Sequence, residues 1–106
     1  VLARSADGES SAEVAARVAQ AREMQWARQG CLNALLSSAR LEQVAQAEAA
    51  AMAFLQTACA RLGWSGRAFH RVLKLARTIA DLAGQTSVSQ AHVAEAIQYR
   101  RVIAQS

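Results

Sequence analysis

Proline is absent from this sequence, glycine occurs five times, and the aromatic residues number five: Phe54, Phe69, Trp26, Trp64 and Tyr99. Without proline no helix is forcibly interrupted. Scarce β-branched and aromatic residues argue against a sheet, and abundant alanine argues for helix. No apolar run approaches the ~20 residues that a membrane span needs, and no signal-peptide pattern is present. The two cysteines, Cys31 and Cys59, lie far apart without CxxC or Cys/His spacing. They read as reduced residues of a cytoplasmic protein, with neither a disulfide nor a metal site.

Catalytic motifs are missing too. The sequence has no GxxxxGK[ST] phosphate loop, no GxGxxG, no HExxH and no GxSxG. His70 and His92 fall on different predicted helices and have no carboxylate or cysteine neighbours at ligand spacing. Neither is expected to bind metal, and Cys31 is not expected to act as a nucleophile. The chain by itself is therefore not read as a complete enzyme.

What is there is a helical pattern over 106 residues, enough for one domain. Residues 1–9 carry no period and read as a loose start or linker; Val1 in place of an initiator methionine suggests a piece of something longer. A helical domain is expected over 10–104. Ser10 and Glu13 have capping-box spacing. Val14, Val18 and Ala21 then recur at helical spacing, with Met24 beside them, and Gly30 marks the stop. The stretch 31–38 is a connection. Ser37 or Ser38 is placed to cap a short helix over 39–44. A third helix is predicted over 47–62, with Ala51, Leu55, Ala58, Cys59 and Leu62 as its stripe and Gly63 after it. Ser65 caps a fourth over 66–83, whose stripe is Phe69, Val72, Leu73, Ala76, Ile79, Ala80 and Ala83, widened by Leu75 and Leu82. This is the expected central helix. After Gly84 comes a short extended link, and Ser89 caps a last helix over 90–102, with Val93, Ala96, Ile97 and Arg100 recurring. The fold class is all-α, a bundle of four or five helices.

Charge is unevenly placed. Residues 1–53 hold five basic and six acidic side chains, whereas residues 54–106 hold seven basic and two acidic ones. An anionic partner is therefore expected at the second half. The start of the fourth helix concentrates the question. Arg67, Arg71 and Lys74 share one face near an end where the helix dipole disfavours cations. Free N–H groups there suit an anion, Ser65 and Gly66 leave the backbone approachable, and Arg67 can offer a two-pronged donor to phosphate. The alternative is that Arg67 lies over Trp64 and Arg71 is merely solvated. Arg77 and Asp81, four residues apart, can pair. Arg100 and Arg101, after Tyr99, can contact DNA or a partner, or can simply complement the dipole at a helix end.

Three stretches carry a resemblance: GESSAEVAARVAQAREMQWARQGCLNALL (8–36), RLGWSGRAFHRVLKLARTIADLAG (61–84) and VSQAHVAEAIQYRR (88–101). Together they resemble the C-terminal domain of bacterial magnesium-chelatase-like AAA+ ATPases, in particular the YifB/ComM group of competence proteins; residues 41–53 match only loosely. The resemblance implies a helical lid that follows a nucleotide-binding core. It implies ATP with Mg²⁺ in the parent protein, none of it bound by this fragment alone. It also implies a homo-oligomeric ring and a role in DNA branch migration during natural transformation, without a membrane. Lids of this kind carry a sensor-2 arginine at a helix start, and Arg67 in SGRAFHR matches it. The phosphate loop and the Mg²⁺-binding acid would lie upstream of Val1. Two other readings stand beside this one: a self-standing basic helical DNA-binding module, and a protein-interaction bundle that docks through exposed Trp26 and Trp64.

Overall fold

The computed structural model describes residues 10–105, with side chains to Arg101, so the expected loose start over 1–9 lies outside the described residues. Five α-helices occur among the described residues: α1 (Ser11–Gln29), α2 (Ser38–Val44), α3 (Ala49–Leu62), α4 (Gly66–Leu82) and α5 (Gln90–Gln105), with a 3-10 turn over Asn33–Leu35. No strand is present among them, and the all-α expectation holds.

Local chemistry sets most boundaries. The Ser10 hydroxyl accepts from the Glu13 amide at 3.1 Å, and the Ser10 amide donates to the Glu13 carboxylate at 2.8 Å. The Ser10 amide first, and then the Ser10 side chain, hold the Glu13 carboxyl below its ordinary pKa. Gly63 closes α3 with φ 68°, a left-handed conformation that costs glycine little. Ser37 caps α2 by accepting from the Arg40 amide.

Two boundaries differ from the sequence pattern by two residues or more. Helix α3 starts at Ala49 rather than residue 47, because Ala47 forms an isolated parallel bridge with Val88. There the Val88 amide donates to Gln46 O at 3.0 Å and the Glu48 amide to Val88 O at 2.9 Å. Gln46, at φ 54°, makes the turn into that bridge. Helix α5 runs on to Gln105, past residue 102. At its start the Ser89 amide donates to Nδ1 of His92 at 2.9 Å, so the imidazole takes the role expected of a side-chain cap.

Helix α4 is central, packed on α1, α2, α3, α5 and the 3-10 turn. Val72, Leu73, Ala76 and Ala80 of α4 meet Leu41, Ala51, Leu55, Val88, Val93 and Ala96, all essentially excluded from solvent. Alanines at these contacts let the helix axes approach closely. In the expected stripes of α3 and α4, Leu62 and Ala83 face water instead.

Helix α1 departs furthest from the simple pattern. Val14 and Val18 are exposed, as is nearly all of residues 11–20, so this half runs out past the bundle. The buried stripe is Ala21, Gln25 and Gln29, four residues apart and mostly polar. Those glutamines enter a sealed polar network. Asp81 is buried, and its Oδ1 accepts from Arg28 Nη1 and Arg77 Nη2, both at 2.9 Å. Its Oδ2 accepts from Arg28 Nη2 at 3.1 Å and Asn33 Nδ2 at 3.0 Å. Arg77, wholly buried, also donates to the carbonyls of Ala45, Thr86 and Gln85 at 2.7, 2.9 and 2.8 Å. Burial lowers the Arg77 pKa, and the neighbouring Asp81 opposes that. The Asn33 amide donates to Gln25 Oε1, while Asn33 Oδ1 accepts from Gln29 and Arg28.

Truncating one member of such a group strands the others. Asp81→Ala leaves Arg77 buried beside Arg28 without a counter-ion, and should cost about 3–5 kcal/mol in urea unfolding. Burial likewise raises the Cys59 thiol pKa, opposed by the charge of Arg100, while Cys31 is only half-buried. Since the thiolate is the nucleophile, native-state labelling with a maleimide at pH 8 should modify Cys31 at least about tenfold faster than Cys59, as mapped by mass spectrometry.

Candidate functional site

Helix α4 begins in the way an anion site requires. Ser65, extended at φ −76° and ψ 171°, accepts from the Ala68 amide at 3.3 Å. The hydroxyl of Ser65 is thus engaged in its own helix. A Cβ built on Gly66 would meet nothing within 4 Å, so the backbone there is open. No acidic residue stands in the first turn. The electropositive helix end is therefore not neutralised from within.

Arg67, His70, Arg71 and Lys74 follow at i, i+3, i+4 and i+7, which puts them on one face. With Ser38 and Leu41 of α2 they line a cavity of about 270 Å³. Arg67 and Arg71 are exposed and bond to no described residue. Lys74 is half-buried, and its ammonium donates to Leu36 O at 3.0 Å, at the end of the 3-10 turn. Lys74 is thus partly structural, tying that turn to α4 while lending its charge to the cavity floor. The structure places Ser65, Gly66 and Arg67 at the start of α4, with Arg71 and Lys74 following on the same face as far as the middle of the helix.

Arg100 and Arg101 are placed elsewhere. The Arg100 guanidinium lies 5.2 Å from the centre of the Trp64 ring. It therefore occupies the place that the alternative reading gave to Arg67, and stacks there as a cation over a π face. Arg100 also lines a smaller cleft, of about 150 Å³, with Arg71, Leu75 and Tyr99. Arg101 is exposed and borders a separate groove between α3 and α5, beside Arg61 and Leu62. Trp26 is 58 % exposed, whereas Trp64 is half-covered.

The sequence reading gave no role to one cavity residue, His70, or to its partner Glu42. His70 was set aside for want of a nearby carboxylate, yet Glu42 of α2 lies against its Nε2. Helical spacing from Arg67 and Lys74 was enough to put His70 on the cavity face; nothing local pointed to Glu42, 28 residues away. Among the described residues no group of three His, Cys, Asp or Glu side chains is placed to hold a metal ion. No described helix is long and apolar enough to cross a membrane.

Because the Ser65 hydroxyl caps α4, Ser65→Ala should lower the stability of the chain by about 1 kcal/mol in chemical denaturation. Ser65→Asp should retain most of it.

The family described as magnesium chelatase, subunit ChlI C-terminal, matches residues 8–100. The competence protein ComM of Haemophilus influenzae is 44% identical over 96 residues, 91% of this chain and 19% of that protein. The YifB protein of Escherichia coli is 43% identical over 95 residues, 90% of this chain and 19% of that protein. YifB of Salmonella typhimurium is 40% identical over 95 residues, with the same coverage of both chains. No solved structure matches. The chain spans about a fifth of the length of these curated relatives. With a match that runs from the residues before α1 into α5, the chain belongs to the magnesium chelatase subunit ChlI C-terminal family.

Proposed function

We propose that residues 10–104 form the helical lid of a magnesium-chelatase-like AAA+ ATPase of the ComM/YifB kind, and that Arg67 senses the bound nucleotide. The observation that carries this reading is the start of α4. An arginine without a partner among the described residues stands in the first turn of a helix without an acid there, at the rim of a cavity lined by three further basic side chains. Such a group is stabilised when an anion arrives, and the planar guanidinium matches a terminal phosphate.

The donor set fits a nucleotide phosphate and does not fit a metal ion. ATP would supply the terminal phosphate that Arg67 contacts, and its Mg²⁺ would be held by residues of an upstream core. Arg67 donates to the phosphate from the first turn, Arg71 adds a second freely placed guanidinium, and Lys74 adds charge from below. Ser65 keeps the helix start in register, and the absence of a side chain on Gly66 leaves room beside the backbone. The polar network around Asp81 joins α1, the 3-10 turn, α4 and both neighbouring loops, which suits a lid that rotates as one body and passes the nucleotide state onward. The exposed half of α1, with Val14 and Val18 on it, is where the upstream core would pack.

On the AAA+ resemblance, the parent protein would be a cytoplasmic, homo-oligomeric ring that couples ATP hydrolysis to DNA remodelling, including branch migration in natural transformation, and the relative named as a competence protein is in keeping with that setting. Arg100 and Arg101 are the residues we assign to DNA or partner contact.

In the longer parent protein, Arg67→Ala should reduce ATP turnover about a hundredfold, the scale of losing one charge-stabilising donor, with thermal unfolding unchanged, both with and without DNA. Wild-type turnover in that variant would remove Arg67 from the nucleotide.

A further inference from the structure

His70 stands three residues after Arg67 and four before Lys74, and lines the same cavity as both. Its Nδ1 lies 3.0 Å from the carbonyl oxygen of Gly66, and its Nε2 lies against Oε2 of Glu42. A carbonyl and a carboxylate oxygen only accept hydrogen bonds. A neutral imidazole carries one N–H and can donate to just one of them. Both contacts are made when the ring is doubly protonated. His92 is the opposite case: its Nδ1 accepts from the Ser89 amide, which leaves that nitrogen without a proton.

The groups that face His70 complete the electrostatics. From its own helix come Arg67, Arg71 and Lys74; from α2 comes Glu42. The 3-10 turn offers the Leu36 carbonyl, already taken by Lys74. Phe69 presents an edge-on ring, its centre 5.3 Å from the imidazole centre. The His70 side chain is 26% exposed and that of Glu42 is 54% exposed, so the pair sits at the rim, within reach of a solute.

We propose that His70 is a proton-dependent anion-binding group of this cavity, and that Glu42 is the internal anion it exchanges for a phosphate group. The proposal rests on reading the cavity as a phosphate site, and deepens it. Arg67 and Arg71 are charged at every accessible pH, so they set a constant part of the affinity. His70 adds to it only as imidazolium. Glu42 competes for that imidazolium and also offsets the positive field of the cavity. Raising the pH removes the His70 proton, and phosphate affinity falls with it.

The probe is inorganic triphosphate, titrated calorimetrically at pH 6 and pH 8 into the longer parent protein, in which the upstream core is present. Wild-type affinity should be lower at pH 8 than at pH 6. Glu42→Gln should tighten binding at pH 6, and His70→Gln should weaken it, each by about two- to fivefold, the scale of a partly exposed charge contact. His70→Gln should also flatten the pH dependence, which a merely structural side chain would not do. Ring-nitrogen NMR of the wild type at pH 6 should show both nitrogens of His70 protonated and Nδ1 of His92 bare. Unchanged affinity and pH slope in His70→Gln, with Arg67→Ala still weakened, overturns the role of His70 alone. If Arg67→Ala binds like wild type, or if wild type binds no triphosphate, the phosphate reading fails and this proposal with it. The ring spectrum needs no variant, so a single protonated nitrogen on His70 overturns the proposal even where a variant does not fold.

Discussion

A carboxylate sealed inside a bundle has to regain from protein the hydrogen bonds it made with water, and Asp81 regains four: two from Arg28, one from Arg77 and one from Asn33. Much of the architecture is arranged around that requirement. Arg28 fixes the end of α1, Asn33 fixes the 3-10 turn, and Arg77 collects the carbonyls of residues 45, 85 and 86 from two loops that lack helical partners. Apolar burial drives collapse of the chain, but it is not directional. The network supplies direction: it sets which residue of α1 meets which residue of α4. One buried N–H, Nε of Arg77, has no partner among the described residues, so the network is close to complete without being closed.

The same arrangement positions the basic cavity. Lys74 and Thr78 lie one turn apart on α4. The Thr78 hydroxyl donates to Lys74 O while accepting from Asn33. Lys74 in turn holds the carbonyl of Leu36, the residue after the 3-10 turn, and α2 begins two residues later. The wall of the cavity formed by Ser38 and Leu41 is therefore connected to Asp81 through a chain of bonds about two helical turns long. The cluster of cations is thereby given a bonded back wall, while Arg67 and Arg71 stand exposed on its open side.

How much of this was legible follows from what each signal measures. Cap residues act over three or four positions, so Ser10 with Glu13, Ser37, Ser65, Gly30 and Gly63 marked their helix ends directly in the sequence. The apolar stripe of α4 was equally plain, because Val72, Leu73, Ala76 and Ala80 recur at the helical period. Polar burial was not. Periodicity assigns glutamine, arginine and aspartate to the wet side, and so Gln25, Gln29, Arg77 and Asp81 were hidden while Val14 and Val18 were over-read. Arg77 and Asp81 were recognised as a pair, but their isolation from solvent depends on Arg28, 53 residues before Asp81. At the candidate site, residues sharing a helix were readable together, whereas Glu42 came from another helix and Arg100, not Arg67, proved to cover Trp64.

The exposed half of α1 has a mechanical consequence. Helix α1 is anchored through Ala21, Gln25, Arg28 and Gln29, all in its second half, and the ten residues before them extend about 15 Å at 1.5 Å per residue. A stiff rod clamped at one end is a lever. Turning the bundle by about 10° carries the tip of that rod through roughly 2–3 Å, a distance set by its length alone. Small adjustments near Asp81 are in this way magnified at Val14, so shortening or softening α1 would reduce the stroke without touching a single charged group.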